Sequence, residues 1–114
     1  MIVGGNTCVV LASNMMPVSA ITLAEVIATS DVPSGVVNIL TGVRSELLDV
    51  MSSHMDVNAL LLCSGDFDER KLAREKGADN LKRVILRDDA AIAQSPYHIL
   101  DFQEVKTTWH PVGS

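Results

Sequence analysis

The sequence is poor in aromatic residues, in cysteine and in basic charge, and each shortage excludes a class of protein. Aromatics make up 4% of the 114 residues, so Val, Ile, Leu, Ala and Met must fill the core. Two cysteines, Cys8 and Cys63, cannot build a disulfide framework. Nine Lys and Arg face fourteen Asp and Glu, and the net charge of −5 disfavours nucleic acid and anionic membranes as partners.

Long apolar runs and targeting signals are also missing. No hydrophobic stretch approaches the length of a membrane span, and residues 1–6 carry no basic region of a secretory signal. We therefore expect a cytoplasmic protein that does not enter a membrane. The 47% hydrophobic content is nevertheless sufficient for one globular domain with a real core.

Short β-branched runs alternate with longer amphipathic stretches, which predicts the order β-α-β-α-β-α-β. The predicted strands cover 7–11, 36–40, 59–63 and 81–86, and the first two helices cover 18–29 and 44–53. Asp66 and Glu69 have capping-box spacing at the start of the third helix, and Gly77 is placed to end it. Helical crossovers imply parallel strands, so we expect an α/β fold with a small doubly wound, Rossmann-like sheet. The alternation in Ile99–Trp109 predicts an additional extended strand at the C-terminal end.

The residues themselves give little chemistry. There is no G-x-G-x-x-G and no Walker motif, and the scattered histidines lack metal-ligand spacing. Cys8 and Cys63 lie in predicted strands, where a small buried hydrophobe is a better interpretation than a nucleophile. Asp88 and Asp89 follow a strand end, where sites of α/β proteins gather, although a solvated loop explains them better. We predict neither a metal site nor catalytic residues.

Several short motifs in order resemble the aldehyde dehydrogenase superfamily. Gly5-Asn6 precedes a strand, Pro17 opens a helix, and Pro33-Ser34-Gly35-Val36-Val37-Asn38 leads into the next strand. Asn80-Leu81-Lys82-Arg83-Val84 resembles the strand that leads to the catalytic glutamate of that family. Phe102–Thr107 resembles its C-terminal oligomerisation strand. The resemblance implies a truncated cofactor-binding domain over residues 1–93 and an oligomerisation tail strand over residues 94–114.

The positions that carry the family's chemistry differ here. The catalytic domain with its nucleophilic cysteine has no counterpart between Leu86 and the tail. The family's cofactor-contacting Lys-Pro-Ser-Glu falls on Leu11-Ala12-Ser13-Asn14, its Phe-Thr-Gly-Ser falls on Leu62-Cys63-Ser64-Gly65, and its catalytic glutamate falls on Arg87. The degenerate cofactor positions are therefore Leu11, Ser13, Asn14, Ser64 and Gly65. The parent family uses NAD or NADP, but we expect no cofactor for this chain.

Acidic residues at the start of the third helix oppose phosphate binding. A nucleotide pyrophosphate is attracted by free N–H groups and the positive end of a helix dipole. Asp66, Asp68 and Glu69 occupy this first turn instead. A well-capped helix without a ligand explains them better than a rearranged site for a cation.

Three functions fit these observations. The first is a non-catalytic, aldehyde-dehydrogenase-like structural or oligomerisation module from the C-terminal end of a longer protein of that family. The second is the NAD(P)-binding part of an aldehyde-oxidising oxidoreductase whose catalytic domain lies elsewhere. The third is an unrelated α/β binding module, such as a flavodoxin-like domain. Because Ile99–Trp109 would leave an apolar strand edge unpaired, we expect a homo-oligomer, most simply a two-fold dimer.

Overall fold

A computed structural model describes residues 1–88 and 95–113, and within them it has the predicted order of elements. The strands are β1 (Cys8–Leu11), β2 (Val37–Leu40), β3 (Ala59–Cys63) and β4 (Arg83–Arg87). The α-helices are α1 (Val18–Ala28), α2 (Arg44–Ser53) and α3 (Phe67–Ala78). Short 3₁₀ helices cover Ile2–Gly4 and Pro96–Phe102. The α/β class and its parallel, Rossmann-like character are confirmed.

The strands pair in two parallel sheets of two strands, rather than in one sheet of four. Cys8 pairs with Val37 at the start of β1 and β2, and Ala59 pairs with Arg83 at the start of β3 and β4. Within the described residues, no strand joins β1 to β3. A cavity of about 840 Å³ is lined by both of these strands. The four strands therefore do not form the single continuous sheet that the sequence predicts, because this cavity separates β1 from β3.

The hydrophobic core lies between α2, α3 and the β3–β4 sheet. Leu48, Leu60, Leu62 and Ala73 are its buried residues. Met51, Leu72, Val84 and Leu86 pack against them. Alternation along β3 directs Leu60 and Leu62 to this face, so α2 and α3 cover the same side of the sheet.

The predicted tail strand over Ile99–Trp109 is wrong. Its first four residues belong to the 3₁₀ helix Pro96–Phe102, and residues 103–113 pair with no strand of the described chain. Pro96 suits the first turn of a helix, and the Ser95 hydroxyl accepts the N–H of Tyr97. The ion pair between Asp101 and Arg87 fixes this helix to β4. The proposed boundary between residues 93 and 94, like Asp89, lies outside the described residues.

Two further details differ from the predicted boundaries of α3 and β4. Gly77 does not end the helix, since α3 continues to Ala78 with Asp79 as its C-cap. Gly77 is buried against β4, where an added Cβ would lie 2.6 Å from Cγ2 of Val84. Leu81 has a φ of 55° and is exposed, so β4 begins at Arg83 rather than at Leu81. Close packing between helix and strand therefore explains the glycine.

Candidate functional site

The candidate site is the edge formed by the carboxyl ends of the parallel strands, where ligands bind in α/β proteins. Leu11 ends β1, and its half-buried side chain lines the large cavity together with the exposed Ser13. Asn14 is exposed in the following loop. Ser64 and Gly65 follow β3, and only Ser64 is buried. The degenerate positions are thus divided between the β1–β2 sheet and the β3–β4 sheet.

The first turn of α3 is capped by its own side chains. The carboxylate of Asp66 accepts the N–H of Glu69 at 2.8 Å, as the capping-box spacing predicts. In a complete capping box the Glu69 carboxylate would accept the N–H of Asp66. Here Oγ of Ser64 accepts this N–H instead, at 3.1 Å. The same hydroxyl donates to Oε2 of Glu69 at 2.5 Å. Ser64 thereby relays the contact that a capping-box glutamate would make directly.

Two arginines close this edge further. Nη1 of Arg44, at the start of α2, lies 3.2 Å from Oε2 of Glu69. Arg70 donates to the backbone carbonyl of Ser64 and forms an ion pair with Asp88. Both cations are therefore already paired with protein carboxylates, and Glu69 places a negative charge at the end of β3.

Arg87 occupies the end of β4 and binds the C-terminal 3₁₀ helix. Its guanidinium pairs with the carboxylate of Asp101, and its Nη2 lies 2.7 Å from Nδ1 of His98. Sequence reasoning did not find this cluster, since its members lie eleven and fourteen residues apart along the chain. A guanidinium stays protonated in proteins, so Arg87 cannot act as a general base.

Lys82 is a second residue that sequence reasoning missed. It is only 8% exposed, and its Nζ donates to the carbonyls of Met51 and His54 at 2.9 Å each. Burial lowers the pKa of this ammonium group. Lys82 thus binds the carbonyl end of α2, which attracts positive charge. Helix C-termini in general favour a nearby cation. Nothing in the sequence indicates that Lys82, which lies 28 residues beyond His54, is the cation at the end of α2.

These residues do not fit a dinucleotide. A pyrophosphate needs free N–H donors at a helix start and a cation nearby. At α3 the amides of Asp66 and Glu69 are already bonded to side chains, and Asp66 and Asp68 add negative charge. Leu11 offers no hydrogen-bonding group to a ribose.

Neither a candidate metal site nor a membrane-spanning helix occurs in residues 1–88 and 95–113. No three or more His, Cys, Asp or Glu side chains in these ranges are grouped so that they could hold a metal ion. In the same ranges, no helix has the length and apolar character needed to cross a membrane. Both cysteines are free thiols of intermediate burial.

Comparison with known proteins identifies the family. The profile of the aldehyde dehydrogenase family matches residues 1–103, which is most of the chain. The chain belongs to the aldehyde dehydrogenase family. The match ends at Gln103, so the following residues of this aldehyde dehydrogenase family chain lie outside it.

Individual relatives agree with this membership. Aldehyde dehydrogenase 1A1 from Mus musculus is 41% identical over 83 residues, which cover 72% of this chain and 16% of the relative. The NADP/NAD-dependent aldehyde dehydrogenase PuuC from Escherichia coli is 33% identical over 82 residues, covering 72% of this chain and 17% of the relative. The crystal structure of an aldehyde dehydrogenase from Bartonella henselae superposes with a TM-score of 0.66 and 29% identity, over 72% of this chain and 17% of that one.

The aldehyde dehydrogenases that match this chain are much longer than the chain itself. This chain spans about one sixth of the aldehyde dehydrogenases that it matches. The similarity therefore concerns one α/β fragment of a much longer dehydrogenase.

Proposed function

We propose that this aldehyde dehydrogenase family chain is a non-catalytic structural module. The proposal rests mainly on the contacts of Arg87, which stands where the resemblance places the catalytic glutamate. Its guanidinium is held by Asp101 and contacts His98. A permanent cation in an ion pair cannot accept a proton, so this chain has no general base at that position.

The start of α3 supports the absence of cofactor binding. Ser64 and Asp66 bond two of the amides at this helix start, those of Asp66 and Glu69, and Glu69 is joined to Arg44 and Ser64. A bound nucleotide would have to displace these contacts and approach Asp66 and Asp68. We propose that NAD and NADP bind this chain only in the millimolar range or more weakly, which corresponds to about −4 kcal/mol at most.

The role that remains is assembly. The module is proposed to be the C-terminal part of a longer cytoplasmic protein of the family, and to form homo-oligomers through its tail. Support comes from large apolar side chains that the chain exposes beyond the 3₁₀ helix Pro96–Phe102, including Val105 at 92% and Trp109 at 89% exposure. Apolar side chains that form one contiguous patch at a surface commonly mark an interaction site, and these two residues lie within one short segment.

Calorimetric titration with NAD and NADP tests the cofactor part of the proposal. We expect no saturable binding below millimolar concentration. The double variant Asp66→Ser, Asp68→Ser should raise the affinity only modestly, because Leu11 still replaces the family's lysine. Micromolar binding by the unmodified chain would instead favour the NAD(P)-binding part of an oxidoreductase whose catalytic domain lies elsewhere.

Aldehyde oxidation gives a second, independent test. The purified chain should produce no NADH from NAD and an aldehyde, because Arg87 stands where the resemblance places the general base and cannot accept a proton. Cys63→Ala is the matched control, since Cys63 is a free thiol near the candidate edge. Turnover that disappears in Cys63→Ala would contradict the non-catalytic assignment.

A further inference from the structure

The C-terminal end of α2 meets the turn between α3 and β4 in a polar corner. Nζ of Lys82 donates to the carbonyls of Met51 and His54 at 2.9 Å each. Nδ2 of Asn80 donates to the same His54 carbonyl at 3.3 Å and to that of Ser53 at 3.5 Å. The last carbonyls of a helix have no partner within the helix, and here two side chains of one turn converge on them.

Two further polar atoms at this corner are buried without a partner. Oγ of Ser52 and Oδ1 of Asn80 form no hydrogen bond with any residue of 1–88 or 95–113. Ser52 is 0% exposed and lies in the same helical turn as the three carbonyls. Folded proteins leave very few buried polar atoms unpaired, because each unpaired atom costs free energy. Both oxygens therefore require a hydrogen-bonding partner.

A different orientation of the Asn80 amide would not supply that partner. Exchange of Oδ1 and Nδ2 would place the amide oxygen against the carbonyl oxygens of Ser53 and His54, which are also acceptors. The contacts thus fix Nδ2 on the side of α2. Oδ1 lies on the other side of the planar amide, where it can only accept.

The hydroxyl of Ser52 also differs from those of other helical residues. Oγ of Ser53 donates to the carbonyl of Asp49 at 2.9 Å, and Oγ1 of Thr22 donates to that of Val18 at 3.1 Å. Serine and threonine commonly bond in this way within helices. Ser52 makes no bond of this kind, although it is the most deeply buried of the three residues. Its hydroxyl remains available to a ligand at the corner.

Lys82 contributes a donor to the same place. An ammonium group has three N–H donors and no acceptor, and two of them are directed to Met51 and His54. Lys82 is only 8% exposed, so bulk water has little access to the third. Lys82 and Asn80 share the His54 carbonyl, which brings this donor close to the Asn80 amide.

The chemistry of these groups defines one ligand. It must accept from an ammonium and donate to oxygen atoms, and it must be small and uncharged because Lys82 already supplies the charge. We propose that the corner binds a single water molecule that accepts the third N–H of Lys82 and donates to Oδ1 of Asn80 and Oγ of Ser52. Buried waters typically make about three such bonds. The water joins α2 to the turn before β4, and it does not depend on the proposed non-catalytic function.

A crystal structure of the whole chain at atomic resolution tests the site directly. We expect one density peak within hydrogen-bond distance of Nζ of Lys82, Oδ1 of Asn80 and Oγ of Ser52. Two arrangements without such a peak would overturn the proposal. In one, Oγ of Ser52 rotates onto the carbonyl of Leu48. In the other, Lys82 donates directly to Oδ1 of Asn80. A metal ion at the peak would also contradict it.

Urea unfolding gives an independent test in solution. Ser52→Ala removes one bond of the water, so its unfolding midpoint should lie below that of Ser53→Ala, the matched control from the same helix turn. A hydroxyl that is truly unpaired would give the opposite order, because its removal would relieve a penalty. The effect of Ser52→Ala should also shrink in a Lys82→Met background, while that of Ser53→Ala stays the same. Equal effects of Ser52→Ala in both backgrounds would show that Ser52 and Lys82 share no ligand.

Discussion

The two β-α-β units of this chain have similar patterns but differ greatly in burial. In the second unit, Leu60 and Leu62 of β3 pack with Ala73 of α3 in a closed core. In the first unit, no residue of α1 is buried, and Leu23 is 53% exposed. A cavity of about 390 Å³ lies between α1 and β2. The difference shows that one unit is stabilised within the chain, whereas the other needs more surface to cover it.

The helices of the two β-α-β units also differ in their N-terminal caps. The first turn of α3 is capped by Asp66 and stabilised by Ser64. Pro17 precedes α1 without any side-chain cap. Since a helix of eleven residues is marginal without packing, α1 depends on tertiary contacts more strongly than α3.

The largest expected effect comes from truncating the core of the second unit. Leu62→Ala should lower the free energy of unfolding by about 2–5 kcal/mol, because Leu62 is only 6% exposed and its loss leaves a cavity. Leu23→Ala in α1 is the matched control and should change stability by no more than about 0.5 kcal/mol. Urea unfolding measures both. Equal losses would show that the first unit is as well packed as the second.

Adding a methyl group at Gly77 tests the close contact between α3 and β4. Gly77→Ala should destabilise by about 1–3 kcal/mol, since its Cβ would lie 2.6 Å from Cγ2 of Val84. Gly65→Ala is the control, because a Cβ there meets nothing within 4 Å. In a thermal unfolding series, Val84→Ala should reduce the cost of Gly77→Ala. If the two substitutions are additive, the steric explanation is wrong.

Removing the cap of α3 should have a smaller effect. Asp66→Ala is expected to cost about 1 kcal/mol, because the N–H of Glu69 loses its acceptor. Asp68→Ala removes a charge from the same turn without removing a cap and should cost less. Chemical denaturation compares the two variants. A larger loss in Asp68→Ala would show that charge at the helix start, rather than the cap, stabilises α3.

The smallest predicted effect is a pH dependence from Lys82. Burial lowers its pKa in the folded state, so the unfolded state binds more protons between the lowered and the ordinary pKa. Stability should therefore rise slightly as pH increases through this alkaline window, and it should fall as pH decreases through the folded pKa. Denaturant unfolding at several pH values measures the slope. Lys82→Met should remove this slope, and the exposed Lys106→Met should leave it unchanged.

Local structure followed from the sequence with good accuracy. The bounds of α2 and β3 agree with the predicted ranges 44–53 and 59–63, because apolar periodicity and breaker residues act over short distances. Asp66 caps α3 as its spacing predicts. The motif Pro33-Ser34-Gly35-Val36-Val37-Asn38 indicated the family to which the chain belongs.

The tertiary structure alone decided how these elements meet. Separation of β1 from β3 depends on what lies between two edges that are 48 or more residues apart, and no local pattern encodes it. The same applies to Arg87 with Asp101, and to Lys82 at the end of α2. The sequence determined the helices, the strands and the loss of the family's charged positions, because each is a property of neighbouring residues. The space between the two sheets and the partners of Arg87 and Lys82 arise only when distant parts of the chain pack together.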